Sequence, residues 1–189
     1  MRRGFKSWCE RCAQEQRALI GLDTYGPLEP KDLAQEMGVM VWRPDEIAGL
    51  PTKYLDQLLL KDPDNWSAVT IAVGEKVVSI INSSHPPTRG RNSLAHELAH
   101  LILEHKPGRV DLSDKGHLLL SSYPKEQEEE ADWLAGTLLV PRDGLIRAHR
   151  KYNDVSAIAG HFGVSADLIN WRIRMTGVAR QLGRVGRRF

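Results

Sequence analysis

The sequence predicts an α+β fold with a small β-sheet and a helical, helix-turn-helix-like C-terminal part. Three patterns lead to this prediction: the motif His96-Glu97-x-x-His100, two β-branched runs just before it, and helical periodicity after it. The chain has 189 residues, 41% of them hydrophobic and 26% charged, which is typical of a soluble globular protein. That length supports one ample core or two small domains.

Charge and composition narrow the class of protein. The net charge is only +2, so no overall basic field favours a nucleic-acid partner. The basic N-terminus is not followed by an apolar segment, and no apolar run approaches the length of a membrane span. We therefore expect a cytoplasmic protein without a membrane partner. The single pair Cys9 and Cys12 favours two reduced thiols on a helix over half a zinc site or a redox pair.

The first 60 residues alternate helical and extended patterns. Residues 5–20 predict an amphipathic helix, which the Gly26-Pro27 pair separates from the next element. Residues 30–38 predict a short helix closed by its last glycine, and residues 39–42 predict a strand. A second short helix is expected around residues 55–60.

A β-hairpin precedes the histidine-bearing helix. The runs 67–73 and 76–82 are rich in β-branched residues, and Gly74-Glu75 between them is a turn signal. The prolines of the next stretch, 83–87, predict a loop because they deny ladder hydrogen bonds and helix continuation. We therefore expect the following helix to take its N-cap from the pair Asn92-Ser93.

Helical patterns dominate the rest of the chain. The Pro107-Gly108 pair is expected to end the histidine-bearing helix, and no element is assigned to residues 108–124. Residues 125–139 predict a helix of about four turns that a proline stops, and another helix follows at once. Residues 155–173 show a helix–glycine turn–helix rhythm, whereas the Arg/Gly-rich residues 177–189 are expected to fray.

His96 and His100 lie one turn apart on the same helical face. This spacing lets two imidazoles bind one tetrahedral zinc, although an amphipathic helix with polar surface histidines would give the same pattern. A catalytic zinc has three protein ligands and an open fourth position, so a third ligand is expected downstream. Glu97 would then be the general base that takes a proton from a zinc-activated water and passes it to a leaving amine. The expected reaction is amide hydrolysis.

The acidic start of the 125–139 helix offers the third ligand. Glu128 and Asp132 are four residues apart and share one helical face. One carboxylate can bind the metal while the other accepts the remaining N–H of a liganding histidine. Glu129 and Glu130 stay possible ligands because spacing alone does not fix the rotation of the helix. The alternative is a solvated helix N-terminus, where carboxylates suit the macrodipole.

Two linked motifs resemble the ImmA/IrrE family of zinc metallopeptidases. Residues 89–101, R-G-R-N-S-L-A-H-E-L-A-H-L, are similar to the family's active-site helix. Residues 128–141, E-E-E-A-D-W-L-A-G-T-L-L-V-P, are similar to the helix that follows it in the family. The likeness extends over roughly residues 28–175, including the hairpin and the closing helices.

The resemblance implies a zincin-like fold, one Zn²⁺ per chain and a set of residue roles. His96, His100 and Glu128 would be the zinc ligands, Glu97 the base, and Asp132 the partner of a liganding histidine. It also implies a protein substrate, such as a repressor or antitoxin-like DNA-binding regulator from a mobile element, a toxin–antitoxin pair or a stress-response locus. An extended substrate is expected to pair with the strand before the active helix, at Val78 and Ile80.

The sequence patterns and the resemblance together predict four parts of the chain. These are an N-terminal helical extension (1–27), a zincin-like metallopeptidase domain (28–145), a helix-turn-helix-like subdomain (146–176) and a basic flexible tail (177–189).

Two other functions compete with peptide hydrolysis. A DNA-binding regulator would use residues 155–173 as a helix-turn-helix, with Arg172 and Arg174 near the DNA. The second helix carries few positive charges early, where bases are read, so direct DNA binding is possible but not favoured. A partner-binding protein with a non-catalytic zinc is the other alternative, yet Glu97 has no role in a purely structural site.

Three further residues are left without a catalytic role. His85 is interpreted as a loop residue, and His105 as a complement to the dipole at the end of its helix. Nothing in the sequence separates Tyr123 as an oxyanion donor from Tyr123 as a packing residue.

Overall fold

A computed structural model describes residues 1, 3–106, 110–112, 118–120, 123–152 and 154–185 of the chain. Its helices are α1 (Phe5–Leu19), α2 (Pro30–Glu36), α3 (Thr52–Asp56), α4 (Pro87–Ile102), α5 (Lys125–Leu139), α6 (Arg142–Lys151), α7 (Val155–Phe162), α8 (Ala166–Thr176) and α9 (Val178–Val185). Its strands are β1 (Val39–Trp42), β2 (Ala68–Val73), β3 (Lys76–Ile81), β4 (Val110–Leu112) and β5 (Leu118–Leu120). Among these described helices, none has both the length and the apolar character needed to cross a membrane.

The three-stranded sheet has the order β1-β3-β2, with β1 parallel and β2 antiparallel to β3. The predicted hairpin is therefore confirmed, but its second strand lies in the centre of the sheet. Val78 and Ile80 belong to this central strand, whose two edges are already paired. The prediction that an extended substrate pairs with the backbone of these two residues was wrong, because a central strand has no free ladder of N–H and C=O groups. Within the described strands of the hairpin, β2 is the one that lies at an edge of the sheet.

Helix α4 begins earlier than its sequence suggests. Pro86 is the N-cap and Pro87 is the first helical residue, so the predicted cap at Asn92-Ser93 was wrong. A proline fits the first helical position because its fixed φ is already helical and no intrahelical partner exists for an N–H there. Ser93 lies inside the helix, where its hydroxyl donates to the Arg89 carbonyl at 2.9 Å. The helix ends at Ile102, and Pro107-Gly108 lies outside the described residues.

Helix α5 is the centre of one hydrophobic core. Its buried residues join those of α1, α2, α4, α6, α7 and α8 in a single cluster that runs from Phe5 to Val178. The predicted N-terminal extension and C-terminal subdomain thus share their core with the central part of the chain.

Two fully buried arginines tie α1 and α8 to the C-terminal end of α5. Arg17 on α1 donates to the Leu138 carbonyl at 2.6 Å, and Arg172 on α8 donates to the Val140 carbonyl at 2.9 Å. The last carbonyls of a helix have no intrahelical donors, and positive charge suits that end of the helix dipole. The arginines therefore satisfy these carbonyls and fix the helix that carries Glu128 and Asp132.

A helix replaces part of the predicted frayed tail. Val178 at the start of α9 is fully buried, and Arg142 of α6 donates to the Gln181 side chain at 2.6 Å. The prediction of fraying was wrong for Val178–Val185, because burying one valine and pairing one arginine hold the segment on the core. Residues 186–189 lie outside the described residues.

The two cysteines are buried free thiols on α1, as predicted. Burial, followed by the neighbouring Cys12 and Glu10, raises the pKa of Cys9 to about 12. Burial also raises the pKa of Cys12 to about 11, with a smaller contribution from Glu15. Thiols in this state are poor nucleophiles and poor metal ligands, which accords with a packing role.

Candidate metal centre

Three ligand atoms from α4 and α5 converge on one point. His96 Nε2 lies 2.9 Å from His100 Nε2, and Glu128 Oε2 lies 3.1 Å from the first and 3.9 Å from the second. Ligand atoms about 2.0–2.1 Å from a tetrahedral zinc are about 3.3 Å apart, close to these separations. Among the described residues, these three side chains form the group that could hold a metal ion.

Close packing of α4 on α5 brings the ligands together. Ala95 and Ala99 on α4, and Ala131 and Ala135 on α5, are all buried in the core cluster. Small side chains let two helices approach closely. The ligands His96 and His100 follow these alanines by one residue on α4. Glu128 precedes Ala131 by one helical turn and shares its face of α5.

The donor set fits a divalent cation. His96 Nδ1 lies 2.9 Å from Asp132 Oδ1, so this nitrogen carries the proton that is donated to the carboxylate. His96 Nε2 then faces both the His100 ring nitrogen and the Glu128 carboxylate. Three acceptor atoms at these distances repel one another unless a proton or a cation lies between them. Two imidazoles and one carboxylate are also the ligand types of a catalytic zinc site.

The pKa values of the two histidines are shifted in opposite directions. Burial, and then the neighbouring His96 and His105, lower the pKa of His100 to about 3, which keeps its ring neutral and able to bind a metal. Burial acts in the same direction on His96, but the hydrogen bond and charge of Asp132, with Glu128 and Glu97, raise its pKa overall. The site therefore attracts positive charge at His96.

Glu97 lies beside the converging ligands. It lines a cavity of about 220 Å³ together with His96, Ser67 and Ala68. Burial raises the pKa of the Glu97 carboxyl above its usual value, although hydrogen bonds from Thr70 and the charge of His96 oppose the shift. A raised pKa makes a carboxylate a stronger proton acceptor, so the geometry suits a base next to a metal.

The alternative glutamates lie elsewhere on α5. Glu129 is exposed, away from the three converging atoms. The Glu130 carboxylate faces His105, with Oε2 3.6 Å from Nε2. Among Glu128, Glu129 and Glu130, Glu128 is thus the residue whose carboxylate lies near both histidines.

Two residues left without a role have defined contacts. Tyr123 stacks on His100, with ring centroids 3.9 Å apart and planes at 20°, so it forms a wall of the ligand cluster. His85 Nε2 lies 2.9 Å from the Pro63 carbonyl and holds the loop before β2. It lines a separate cavity of about 500 Å³ with Arg43 and Arg91.

His105 is the site residue that sequence interpretation missed. It follows the end of α4, but its Nδ1 lies 2.9 Å from His100 Nδ1, rather than at the helix dipole alone. A signal was present in the sequence, because His105 is five residues after His100 and a tight helix ending folds that position back onto the last turn.

The arginine Arg172, on the second helix of the pair α7–α8, makes its hydrogen bonds inside the protein. Arg172 is fully buried and donates to Glu10 at 2.6 Å and to Thr137 at 3.0 Å. The start of α8 faces the start of α4 across a cavity of about 410 Å³, lined by Asp167 and Trp171 among others. Arg172 is therefore not available to DNA, which weakens the DNA-binding alternative.

A small sheet, a helix with two histidines and a glutamate, and a second helix with a facing carboxylate together define the HExxH class of α+β proteins. The family model described as IrrE N-terminal-like domain, Peptidase_M78, matches residues 66–174. This match spans more than half of the chain, and the chain belongs to that peptidase family.

Comparison with solved structures gives information on the fold alone. A solved structure titled Mycobacterium tuberculosis transcriptional regulator is similar over 88% of this chain, with a TM-score of 0.56 and 19% identity. The similar region is 46% of that chain, so this chain spans less than half of that protein's length. No curated protein matches the sequence.

Proposed function

We propose that the chain is a zinc-dependent endopeptidase that cleaves a protein substrate. The observation that carries the proposal is the convergence of His96, His100 and Glu128 beside a half-buried carboxylate, Glu97. Membership of a peptidase family supports the same reaction.

The proposed roles follow from the contacts around each side chain. His96, His100 and Glu128 hold the zinc, and Asp132 fixes the His96 ring by accepting its Nδ1 proton at 2.9 Å. Zinc held there would supply Lewis acidity for a scissile carbonyl and for an attacking water. Glu97 takes a proton from the attacking water and returns it to the leaving amine. Thr70 hydrogen-bonds Glu97 and keeps its carboxylate on the cavity side.

The proposed substrate path runs along β2. This strand lies at the edge of the sheet, and its first residue, Ala68, lines the same cavity as His96 and Glu97. An extended peptide added to a free edge gains main-chain hydrogen bonds in register. The scissile bond of such a peptide lies close to Glu97. Edge pairing requires no particular side chains, so an unfolded or mobile segment of a larger protein is the fitting substrate.

The proposed substrate class is a DNA-binding repressor or antitoxin-like regulator. This part rests on the likeness of the two helical motifs to the ImmA/IrrE family. A regulator releases its control when one peptide bond in an exposed linker is cut, which suits a single-chain endopeptidase with an open edge strand.

Cleavage by wild type and by Glu97→Gln tests the proposal. Each zinc-loaded protein is incubated with a peptide library and with the regulator encoded nearest to its gene, and new termini are identified by mass spectrometry. We expect cleavage by the wild type, at least about 10²-fold less by Glu97→Gln, and equal zinc content in both. Glu129→Gln, an exposed neighbour on α5, is the matched control and should cleave normally.

Two results would overturn parts of this proposal. Equal cleavage by Glu97→Gln would remove Glu97 as the base. A wild-type protein that holds zinc and binds the regulator, but cuts neither regulator nor peptides, would favour the partner-binding alternative.

A further inference from the structure

Helix α4 ends in a turn that brings His105 back under His100. The Glu104 N–H bonds to the Leu101 carbonyl and the His105 N–H bonds to the His100 carbonyl, both at 3.0 Å. This pair of bonds is the Schellman ending of a helix, which places the residue after the turn against the residue that accepts its N–H. Glu104 adopts φ 54°, a left-handed conformation that costs energy for any residue except glycine. This turn directs His105 back toward the last turn of α4.

The side chain of His105 contacts His100 at Nδ1, the ring nitrogen that does not face the metal centre. The two Nδ1 atoms are 2.9 Å apart, and the ring centroids are 5.0 Å apart with planes at 66°. The His105 side chain is 7% exposed, and its other nitrogen, Nε2, faces the Glu130 carboxylate at 3.6 Å. His105 is therefore enclosed between a zinc ligand of α4 and an acid of α5.

If His100 binds zinc through Nε2, the contacts among His100, His105 and Glu130 allow one arrangement of protons. His100 must then carry its hydrogen on Nδ1, and this N–H donates to Nδ1 of His105. An accepting Nδ1 on His105 requires its hydrogen on Nε2, where the negative charge of Glu130 favours it. The contacts of the other liganding histidine are analogous, because His96 donates its Nδ1 hydrogen to Asp132.

We propose that His105, supported by Glu130, is a positioning residue that fixes the tautomer and ring orientation of His100 for zinc binding. This inference rests on the proposed metal site and extends it with a second pair of supporting residues. Asp132 supports one ligand with a charged acceptor, whereas His105 supports the other with a neutral, buried one. A neutral acceptor polarises the N–H of His100 less than a carboxylate would.

Zinc affinity and imidazole tautomer, both measured without any peptide, test this inference. His105→Phe keeps a buried ring but removes the acceptor, and we expect about 10- to 100-fold weaker zinc binding in competition with a chelator. His105→Asn restores an acceptor oxygen and should recover part of the affinity. In the metal-free protein, long-range ¹H–¹⁵N correlation should show His100 protonated at Nδ1 in the wild type. The same experiment should show a shift toward Nε2 protonation in His105→Phe.

A second variant covers the case in which His105→Phe does not fold. Glu130→Gln keeps the size of the side chain and removes its charge, so we expect a smaller loss of zinc affinity, with Glu129→Gln unchanged. The inference is overturned if His105→Phe folds and binds zinc within twofold of the wild type with its His100 tautomer unchanged. It is also overturned if Glu130→Gln and Glu129→Gln bind zinc equally well. A wild type that binds no zinc would overturn the proposed function as well, so the two failures are distinguishable.

Discussion

Replacing Arg172 with methionine should destabilise the whole fold rather than change a surface property. Its guanidinium is fully buried and donates to the Val140 carbonyl at 2.9 Å, to Thr137 at 3.0 Å and to Glu10 at 2.6 Å. Methionine has similar length and fills most of the space, but it donates to none of the three. The C-terminal end of α5 then loses a partner for its carbonyl and α1 loses its link to α8.

The magnitude follows from these groups. A buried carbonyl left without a donor costs about 1–3 kcal/mol, and a broken buried ion pair costs about 3–5 kcal/mol. Glu10 is 23% exposed, so water can partly solvate its carboxylate once Arg172 is gone. The ion-pair cost arises from a buried charge left without a partner, so it does not apply in full here. We therefore expect Arg172→Met to lower the free energy of unfolding by about 1–3 kcal/mol, the cost of the unsatisfied Val140 carbonyl.

Urea unfolding followed by circular dichroism measures this loss. Arg174→Met is the matched control, because Arg174 is exposed on the same helix and its change should stay within about 0.5 kcal/mol. Retention on duplex DNA at physiological salt should be absent for wild type and for both variants. A loss of less than about 1 kcal/mol, the value of one ordinary hydrogen bond, would refute the buried role of Arg172. Salt-dependent DNA retention by the wild type that Arg174→Met removes would restore the DNA-binding alternative.

Three further predictions concern packing, metal affinity and pH. Gly144→Ala should destabilise by about 1–3 kcal/mol in thermal unfolding, because its Cβ would lie 1.9 Å from the backbone oxygen of Thr24. Asp132→Asn should weaken zinc binding about 10- to 100-fold in chelator competition, since the charged acceptor for His96 is lost; unchanged affinity would contradict its role. The pKa of Asp23 is lowered by two backbone N–H groups of the next turn and by a nearby guanidinium. Its contribution to stability is therefore present above the carboxyl's ordinary pKa and lost as the pH falls through the lowered one, so the difference in Tm between wild type and Asp23→Asn should vanish in acid.

The hairpin and the long helices were predictable because their signals are local. β-Branched runs with a glycine turn, and apolar residues at helical spacing, act within a few residues. The same local logic misplaced the start of α4. The rule that proline interrupts a helix holds inside one, whereas Pro87 occupies the first position, where proline is favoured. The prediction of a frayed tail failed for another reason. Burial of one valine, Val178, holds the segment on the core despite its polar, glycine-rich composition.

Contacts between segments that are far apart along the chain could not be predicted from the sequence. The position of β3 between β1 and β2 depends on a parallel pairing that no local pattern encodes, so the strand predicted to have a free edge is the central one. Arg172 looked like a DNA-facing charge because its partner, Glu10, lies 162 residues away along the chain. Glu128 could not be separated from Glu130 because the rotation of α5 is set by its packing on α4.

The position of a zinc ion in the loaded protein tests the central proposal most directly. Anomalous scattering at the zinc edge from crystals of the zinc-loaded chain would locate the ion without reference to activity. We predict one peak per chain, bonded to His96 Nε2, His100 Nε2 and a Glu128 oxygen, with Glu97 beside the open position. A peak elsewhere, or a third bond from Glu130 in place of Glu128, would contradict the proposed centre.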